Sequence, residues 1–305
     1  MFTLRELKSE FLNVIPGGKF LIELYYKYKY SKLQKHIQSE VLQYLTGAGA
    51  DKDILELEPF FRKHYFDKEH YFNMIPYEWV GEFAEEDIEV HFDNKKRLYY
   101  VYWRGKKMYW KRGIRPLIIQ KCANVLFIEQ DDRSPHKYVL TDTLKGAVIA
   151  DLGGAEGCFT LDVIEQIEHA YIFECDEKWI EALEATFEPY KEKVTIIKKF
   201  VGKDVNENCT TLDEYFSDKK LDYLKADIEG AEVDMLWGGI ETMKHKVREA
   251  NICLYHTPTD ESNIIDFLTK CDYLCQVTDG YIFLYDEQVE PRNWFRRGVV
   301  LGKRL

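Results

Sequence analysis

The segment 146–162, GAVIADLGGAEGCFTLD, decides the fold of this chain. It opens with the small and apolar run AVIA at 147–150, which predicts a strand buried on both faces, as in a parallel sheet covered by helices. Gly153, Gly154 and Gly157 follow, and apolar residues then recur at helical spacing. A strand, a glycine turn and a helix in this order bring backbone N–H groups close to a ligand. We therefore expect a nucleotide-type cofactor site at this turn.

The rest of the C-terminal half alternates between strand and helix patterns. Such alternation predicts an α/β fold with a Rossmann-like sheet, parallel except for antiparallel C-terminal strands, and ligands at the carboxyl ends of the parallel strands. Strands are predicted near 147–152, 170–174, 194–199, 221–227 and 250–255, helices near 155–167, 177–188, 232–238 and 260–270, and a final antiparallel group at 271–277, 281–285 and 297–303.

The N-terminal part has a different character. Residues 1–66 are polar, aromatic and helical in pattern, whereas 87–110 alternate between apolar and polar residues, which predicts a small antiparallel meander. We therefore predict a smaller α+β accessory domain at 1–130, which recognises the acceptor or forms a homo-oligomer contact. The cofactor-binding domain is predicted at 131–305.

Composition narrows the class of protein. The net charge of −11 argues against a protein that binds nucleic acid, although residues 104–115 form a local basic cluster. No apolar run approaches the roughly 20 residues that span a membrane. The charged N-terminus does not resemble a secretory signal, and the seven cysteines are odd in number, as in proteins with reduced thiols. These features predict a cytoplasmic protein without a membrane span.

Two acidic residues indicate the kind of cofactor. A dinucleotide fingerprint needs a glycine at position 152, where this chain has Leu152. Instead Asp151 precedes the turn, in the D-x-G-x-x-x-G spacing used by Rossmann-like methyltransferases that bind S-adenosylmethionine. Glu174 ends the next predicted strand, where an acid accepts hydrogen bonds from ribose hydroxyls. A structural tight turn would explain the glycines but not the two acids.

The strand at 221–227 carries three ionisable groups on one side. Alternation places Lys225, Asp227 and Glu229 together at its carboxyl end. Burying such groups on a central strand is costly unless they have a function. The alternative is a structural network, for example Lys225 paired with Asp227.

The run KADIEGAE at 225–232 resembles the signature of the FkbM family of S-adenosylmethionine-dependent methyltransferases. The resemblance extends to DLGGAEGCFT at 151–160, Phe173-Glu174, TLD at 211–213 and LWG at 236–238, and covers about 145–260. The chain departs from the family pattern at Cys175, where proline is usual, and at Gly154-Ala155-Glu156, where alanine and asparagine are usual. The resemblance implies S-adenosylmethionine as cofactor, S-adenosylhomocysteine as product, and methylation of a hydroxyl group on a sugar, glycan intermediate or similar small molecule.

The expected catalytic residues lie at the ends of two strands. Asp227 is predicted near the methyl-donating end of the cofactor, and Lys225 is predicted to orient Asp227 or the substrate oxygen. His256 or Glu229 would accept the proton of the hydroxyl, since histidine titrates near neutrality and a buried carboxyl has a raised pKa. A structural role for His256 is the alternative.

Further cofactor contacts are expected from flanking segments. The Ser-Pro pair at 134–135 predicts a short helix that places His136 and Tyr138 near the cofactor, or else gives His136 a capping role. Phe200 and Val201 are expected to flank the adenine ring. The complete predicted cofactor-binding set is Asp151, Gly153, Gly154, Ala155, Glu156, Gly157, Phe159, Thr160, Glu174, Cys175, Phe200, Val201, Asp227, His136 and Tyr138.

The sequence leaves open the use of a metal ion and two other functions. Asp227, Glu229 and one more oxygen ligand would suit Mg²⁺, and the sequence does not decide whether a metal is used. A nicotinamide-dependent oxidoreductase shares the Glu174 feature but lacks the glycine at 152. A non-catalytic cofactor-binding scaffold protein is the remaining alternative.

Overall fold

A computed structural model describes residues 33–47, 51–64 and 74–305, so helices predicted before residue 33 lie outside the described residues. The chain divides into two compact units. One contains the described residues up to 78 together with 285–294, and the other contains 79–284 and 295–305. The predicted boundary at 130 therefore falls inside the second unit.

The first unit is helical where it is described. Gln38 Nε2 donates a hydrogen bond of 2.8 Å to the carbonyl of Phe61 and joins two of its helices. The segment 285–294 contributes Trp294, whose ring meets Tyr44 edge-on at 6.4 Å. The helices are α1 (33–46), α2 (Lys52–Leu55) and α3 (Glu58–Lys63).

The second unit is built on a seven-stranded sheet in the order β11-β14-β10-β9-β4-β5-β6. The five strands from β10 to β6 are parallel, and β14 and β11 add antiparallel strands at one edge. The predicted fold class is therefore confirmed. The strands are β4 (Val148–Leu152), β5 (His169–Phe173), β6 (Val194–Ile197), β9 (Tyr223–Ala226), β10 (Glu249–Cys253), β11 (Tyr273–Val277) and β14 (Val299–Arg304).

Helices connect the parallel strands and cover the sheet. The segment near 281–285, expected in the final antiparallel group, instead forms a separate hairpin with 295–296. In the described part of the chain no helix is both long and apolar enough to cross a membrane. The helices are α4 (Pro116–Glu129), α5 (Cys158–Val163), α6 (Glu177–Phe187), α7 (Leu212–Tyr215), α8 (Glu232–Trp237), α9 (Ile240–His245) and α10 (Asp260–Lys270), and the remaining short strands are β7 (Phe200–Val201), β8 (Cys209–Thr210), β12 (Ile282–Phe283) and β13 (Phe295–Arg296).

The predicted meander forms a three-stranded antiparallel sheet, β1 (His91–Asp93), β2 (Leu98–Trp103) and β3 (Lys106–Tyr109). It belongs to the second unit because it packs on α6. Trp110 lies 5.7 Å from Trp179, and the Tyr109 N–H donates to Thr186 Oγ1 at 2.9 Å. These contacts link residues 69 and 77 positions apart, so a boundary drawn from local patterns missed them.

The basic cluster at 104–115 has a structural use. Arg104 pairs with Asp162, Lys111 pairs with Asp176 at 3.1 Å, and Arg112 pairs with Glu181. Each acid lies near or on a helix that covers the large sheet. The cluster therefore helps to attach the meander to that sheet.

The short helix predicted at 134–138 is absent, and this segment is a turn. Ser134 Oγ accepts the N–H of His136 at 3.1 Å, and Gln130 Oε1 accepts the N–H of Tyr138 at 3.2 Å. Side-chain oxygens thus take the N–H groups that a helix would bond to its own carbonyls.

The glycine turn after β4 packs closely against β5, α6 and the residue that follows β9. Gly153 has φ +74°, and a Cβ there would lie 1.9 Å from the Asp227 carbonyl oxygen. A Cβ on Gly154 would lie 2.3 Å from Ile172 Cγ2, and one on Gly157 would lie 2.8 Å from the Phe187 ring. These close contacts within the protein explain why glycine occupies the three positions, without reference to a bound ligand.

We expect Gly153→Ala to destabilise the protein by more than about 3 kcal/mol, because the clash with backbone adds to the cost of a positive φ. Gly146 is the matched control: its φ is +65°, but a Cβ there meets no atom within 4 Å. Gly146→Ala should cost only about 1 kcal/mol. Urea unfolding of both variants gives the comparison, and similar losses would contradict the close approach of the turn to Asp227.

Candidate functional site

An ion pair at the centre of the sheet underlies the site. Asp151 on β4 and Lys225 on β9 are register partners, and Lys225 Nζ lies 3.0 Å from Asp151 Oδ1. Lys225 also donates to the carbonyls of Gly153 at 2.8 Å and Leu152 at 3.3 Å. Thr160 Oγ1 donates to Asp151 Oδ2 at 2.7 Å. All three side chains are buried, so Asp151 is engaged inside the protein and holds the turn.

Lys225 stays positively charged in this position. Burial alone would lower the pKa of Lys225, but the carboxylates of Asp151 and Asp227 raise it above the usual value. The structural network considered from the sequence paired Lys225 with Asp227, whereas its ion-pair partner is Asp151.

Glu174, at the end of β5, is joined to the glycine turn. Its Oε2 accepts the N–H of Ala155 at 2.9 Å, and its Oε1 accepts the N–H groups of Cys175 at 2.7 Å and Asp176 at 2.8 Å. A carboxylate offers about four acceptor positions. Glu174 therefore retains an acceptor position on Oε2 beside the turn, where a hydroxyl can donate.

Asp227, at the carboxyl end of β9, accepts hydrogen bonds from several side chains. Tyr138 Oη donates to Oδ2 at 2.7 Å, and Tyr255 Oη donates to Oδ1 at 3.2 Å. His256 Nε2 lies 3.3 Å from Oδ1. Burial would raise the pKa of Asp227, but the hydrogen bond from His256 and the charge of Lys225 hold it well below the usual range. Asp227 is therefore a fixed anion, and its side chain is 18% exposed.

A chain of hydrogen bonds orients one of these donors. Gln130 accepts from Tyr138 through Oε1, so its Nε2 faces His136 Nδ1 at 3.4 Å. The remaining proton of His136 is then assigned to Nε2, which lies 2.8 Å from Tyr255 Oη. Burial lowers the pKa of His136, which favours this neutral form. His136 therefore positions Tyr255 against Asp227.

His256 lies between two carboxylates. Its Nδ1 is 2.9 Å from Glu232 Oε1, and Glu232 is fully buried. Burial would lower the pKa of His256, but Asp227 and Glu232 raise it to about 10, so the ring is an imidazolium at neutral pH. The side chain of Glu229 is 94% exposed, with its carboxylate 3.9 Å from His256 Nε2.

Two predicted aromatic contacts differ in their surroundings. Phe159 is buried between the rings of Tyr138 at 5.6 Å and Tyr223 at 6.1 Å, so it belongs to the core beside the site. Val201 is also buried. Phe200, next to it, is 59% exposed beyond the end of β6 and remains accessible to a planar ligand.

Two half-buried carboxyls have no ion-pair partner within the described ranges. Burial raises the pKa of Glu156 to about 7. Burial, with added repulsion from Asp227 and Glu156, raises the pKa of Glu129 to about 8. The charges of Lys111 and Lys225 oppose the shift at Glu156, whereas no cation contributes to the shift at Glu129. A half-buried acid that forms no ion pair fits a positively charged ligand. S-adenosylmethionine has a sulfonium and an ammonium group and so fits this set of residues.

The sequence reasoning missed Tyr255, Glu232, Gln130 and Glu129. Glu232 is the last residue of the KADIEGAE run and Tyr255 directly precedes His256, so the motifs contained a signal for both. Gln130 and Glu129 lie about 20 residues before the glycine turn and have no local signature.

The sequence left open an Mg²⁺ site made of Asp227, Glu229 and one more oxygen ligand. Among the described residues, two groups could hold a metal ion: His136, Asp227 and Cys253, or Asp227, Glu232 and His256. Neither includes Glu229, and each contains a nitrogen or sulfur ligand, whereas Mg²⁺ prefers oxygen. The arrangement does not support Mg²⁺.

Comparisons with known proteins found one family model and several solved structures that resemble this chain. Residues 147–275 match the family model described as methyltransferase FkbM domain. No match was found among curated protein sequences. A solved FkbM methyltransferase from Methylobacillus flagellatus is similar at 16% identity and a TM-score of 0.43, over 61% of this chain and about half (53%) of that structure. A precorrin-6y C5,15-methyltransferase from Geobacter metallireducens is similar at 10% identity and a TM-score of 0.38, over 53% of this chain and 84% of that one. M. capricolum TrmK, solved with S-adenosyl-homocysteine, is similar at 13% identity and a TM-score of 0.36, over 55% of this chain and 70% of that one.

Removing one partner of the central ion pair should cost more than removing both. Lys225→Met leaves the Asp151 charge buried and unpaired, and we expect a loss of about 3–5 kcal/mol in the free energy of unfolding. The double variant Asp151→Asn/Lys225→Met leaves no unpaired charge and should lose clearly less. Denaturant unfolding of the single and double variants measures this. Equal losses would contradict the ion pair as the reason for the cost.

We expect His256 to stay protonated at pH 8, because two carboxylates flank its ring. Its folded-state pKa of about 10 exceeds the ordinary value of 6.5, so the stabilisation is complete below about pH 6.5 and is lost as the pH rises toward 10. Imidazole ¹⁵N NMR spectra between pH 6 and 11 measure the titration, and His136 serves as the neutral reference. Titration of His256 near 6.5 would contradict the arrangement.

Proposed function

We propose that the chain is an S-adenosylmethionine-dependent O-methyltransferase acting on a hydroxyl of a sugar, glycan intermediate or similar small molecule, because residues 147–275 match the family model of the methyltransferase FkbM domain. The observation that carries the proposal is the carboxyl edge of β4, β5 and β9. There the glycine turn, Glu174 and the anionic Asp227 are held together by hydrogen bonds and by close packing of the turn on Asp227.

The donor site is proposed along this edge. Glu174 would receive the ribose hydroxyls on its remaining acceptor position, and Phe200 would cover the adenine ring. Ala155 and Glu156 would line the methionine end, with Asp227 nearest the methyl group. Bound S-adenosylmethionine supplies a methyl group on a sulfonium sulfur, whose transfer to a hydroxyl leaves a neutral thioether and releases the hydroxyl proton.

The residues around Asp227 prepare the site for this reaction. Tyr138, Tyr255 and His256 keep Asp227 ionised and fixed in orientation, so no side chain has to reorganise when a cation approaches. Lys225 acts as a positioning residue, since it holds the carbonyls of the turn.

His256 is the proposed proton acceptor, because its imidazole is beside Asp227 while Glu229 lies in solvent. His256 accepts a proton only in molecules whose ring is neutral. The rate of methyl transfer should therefore increase with pH toward about 10.

The net charge of the chain bears on the kind of acceptor that it binds. A net charge of −11 favours a small-molecule or glycan acceptor over nucleic acid. Residues 1–130 are proposed to contribute acceptor recognition or a homo-oligomer contact. Seven free cysteines support a reducing, cytoplasmic environment.

Calorimetric titration of the protein with S-adenosylhomocysteine and with NAD tests the cofactor. We expect binding of S-adenosylhomocysteine and none of NAD, because Leu152 occupies the position of the first dinucleotide glycine. Binding of NAD alone would favour an oxidoreductase and contradict the proposal.

Incubation with radiolabelled S-adenosylmethionine and a panel of nucleotide-sugars and extracted glycans identifies the acceptor. With that acceptor, Asp227→Ala and His256→Ala should each lower turnover about 100-fold. Asp204→Ala, an exposed aspartate without an ion pair in the described part of the chain, is the control. Unchanged turnover in both site variants would remove the catalytic assignments.

A further inference from the structure

Glu232 is a fully buried carboxylate at the first position of α8. Its Oε1 accepts the N–H of Ile228 at 2.8 Å and lies 2.9 Å from His256 Nδ1, whereas its Oε2 receives no hydrogen bond from the residues that the structure describes. The amide oxygen of a glutamine would accept the N–H of Ile228 equally well. The backbone contact therefore explains a long polar side chain at this position but not its charge.

The charge of Glu232 is directed at His256. Two carboxylates contact the ring of His256 on opposite sides, Glu232 at Nδ1 and Asp227 at Nε2. Burial alone would lower the pKa of His256, but these two carboxylates raise it to about 10. The other titratable or charged groups that face His256 are the exposed Glu229 at 3.9 Å, the Tyr255 ring at 4.3 Å, the His136 imidazole, and Arg296, which donates to the carbonyl of His256 at 2.9 Å.

The two carboxylates attract the protons of the ring unequally. Asp227 also accepts hydrogen bonds from the hydroxyls of Tyr138 and Tyr255, and its side chain is 18% exposed. Glu232 lies closer to the ring, accepts one backbone N–H and is fully buried. A carboxylate that has fewer donors and less contact with water attracts a proton more strongly. When the imidazolium of His256 loses one proton, we therefore expect the proton on Nε2 to leave first.

We propose that Glu232 is the positioning residue of the proton acceptor: it keeps a proton on His256 Nδ1, so that the neutral ring presents Nε2 as its basic nitrogen beside Asp227. The chemical consequence rests on the proposed function, whereas the protonation of the ring is measurable without a substrate. If the charge of Glu232 is removed, the remaining proton moves to Nε2, where Asp227 accepts it. The basic nitrogen then lies on the side of the ring away from Asp227.

The proton transfer uses the lone pair of Nε2. The O–H bond of the acceptor breaks, and its proton forms a bond to Nε2, which makes the ring an imidazolium. The acceptor oxygen keeps the electron pair and forms a bond to the methyl carbon, while the carbon–sulfur bond breaks and its electron pair stays on the sulfur. The positive charge that leaves the sulfur thus appears on the ring, between Glu232 and Asp227, until the imidazolium releases its proton to water.

The variant Glu232→Gln tests this role, because it removes the charge and retains an acceptor for the N–H of Ile228. The protein is first dialysed against a chelator, since Asp227, Glu232 and His256 could also hold a metal ion. Imidazole ¹⁵N NMR spectra then report on the ring without any ligand. Above pH 10, the neutral ring of the wild-type protein should have its proton on Nδ1. In Glu232→Gln, the proton should lie on Nε2 and the pKa of His256 should fall by about 2.

Turnover of the identified acceptor gives a second measurement. The midpoint of the kcat profile of Glu232→Gln should move to a pH about 2 lower, and its plateau should fall about tenfold. The KM of the acceptor and the affinity for S-adenosylhomocysteine should stay within about twofold of wild type, whereas a merely structural role would leave the midpoint unchanged. Glu241→Gln is the matched control and should behave as wild type, because it removes an exposed carboxylate 3.4 Å from His245 on α9.

A proton on Nε2 in the neutral wild-type ring, or an unchanged pKa of His256 in Glu232→Gln, would overturn the role of Glu232. If Glu232→Gln does not fold, the wild-type spectra decide alone. Absence of S-adenosylhomocysteine binding to wild-type protein would instead contradict the proposed function, and the spectra would still decide which nitrogen of His256 holds the proton.

Discussion

The buried ion pair between Asp151 and Lys225 is the interaction on which the rest of the site depends. It joins the two central strands at their carboxyl ends, where a lone charge of either sign would be costly. Lys225 also holds the carbonyl of Gly153, whose Cα packs against the backbone of Asp227. Lys225 thereby links the glycine turn to Asp151 on β4 and, through the packing of Gly153, to Asp227 at the end of β9.

The charges of the site fall into two classes. Asp151 and Asp227 have cationic partners and hydrogen-bond donors inside the protein, and they build the site. Glu129 and Glu156 form no ion pair among the described residues, and burial raises the pKa of each carboxyl. Several acids can therefore lie near one another, because the paired ones are neutralised inside the protein and burial favours the protonated form of the others.

The strands of the sheet could be predicted well, because each strand is marked by the residues within its own segment and in the turns beside it. Alternating apolar runs and turn residues define strands such as β4 and β9, and the glycines at 153–157 mark the turn. The predictions failed where tertiary contacts decide. Residues 87–110 join the larger unit through Trp110 and α6, and side-chain hydrogen bonds replace the helix expected at His136. Likewise the partner of Lys225 and the raised pKa of His256 depend on strands and helices distant in sequence.

A crystal structure of the protein grown with S-adenosylhomocysteine would show whether the cofactor binds at the carboxyl edge of β4, β5 and β9. We expect the ribose hydroxyls within hydrogen-bond distance of Glu174 and the sulfur on the side of Asp227. We also expect the Asp151–Lys225 ion pair to be retained, because that pair shapes the turn without contacting the ligand. A ligand bound elsewhere, or one that displaces Lys225 from Asp151, would contradict this expectation.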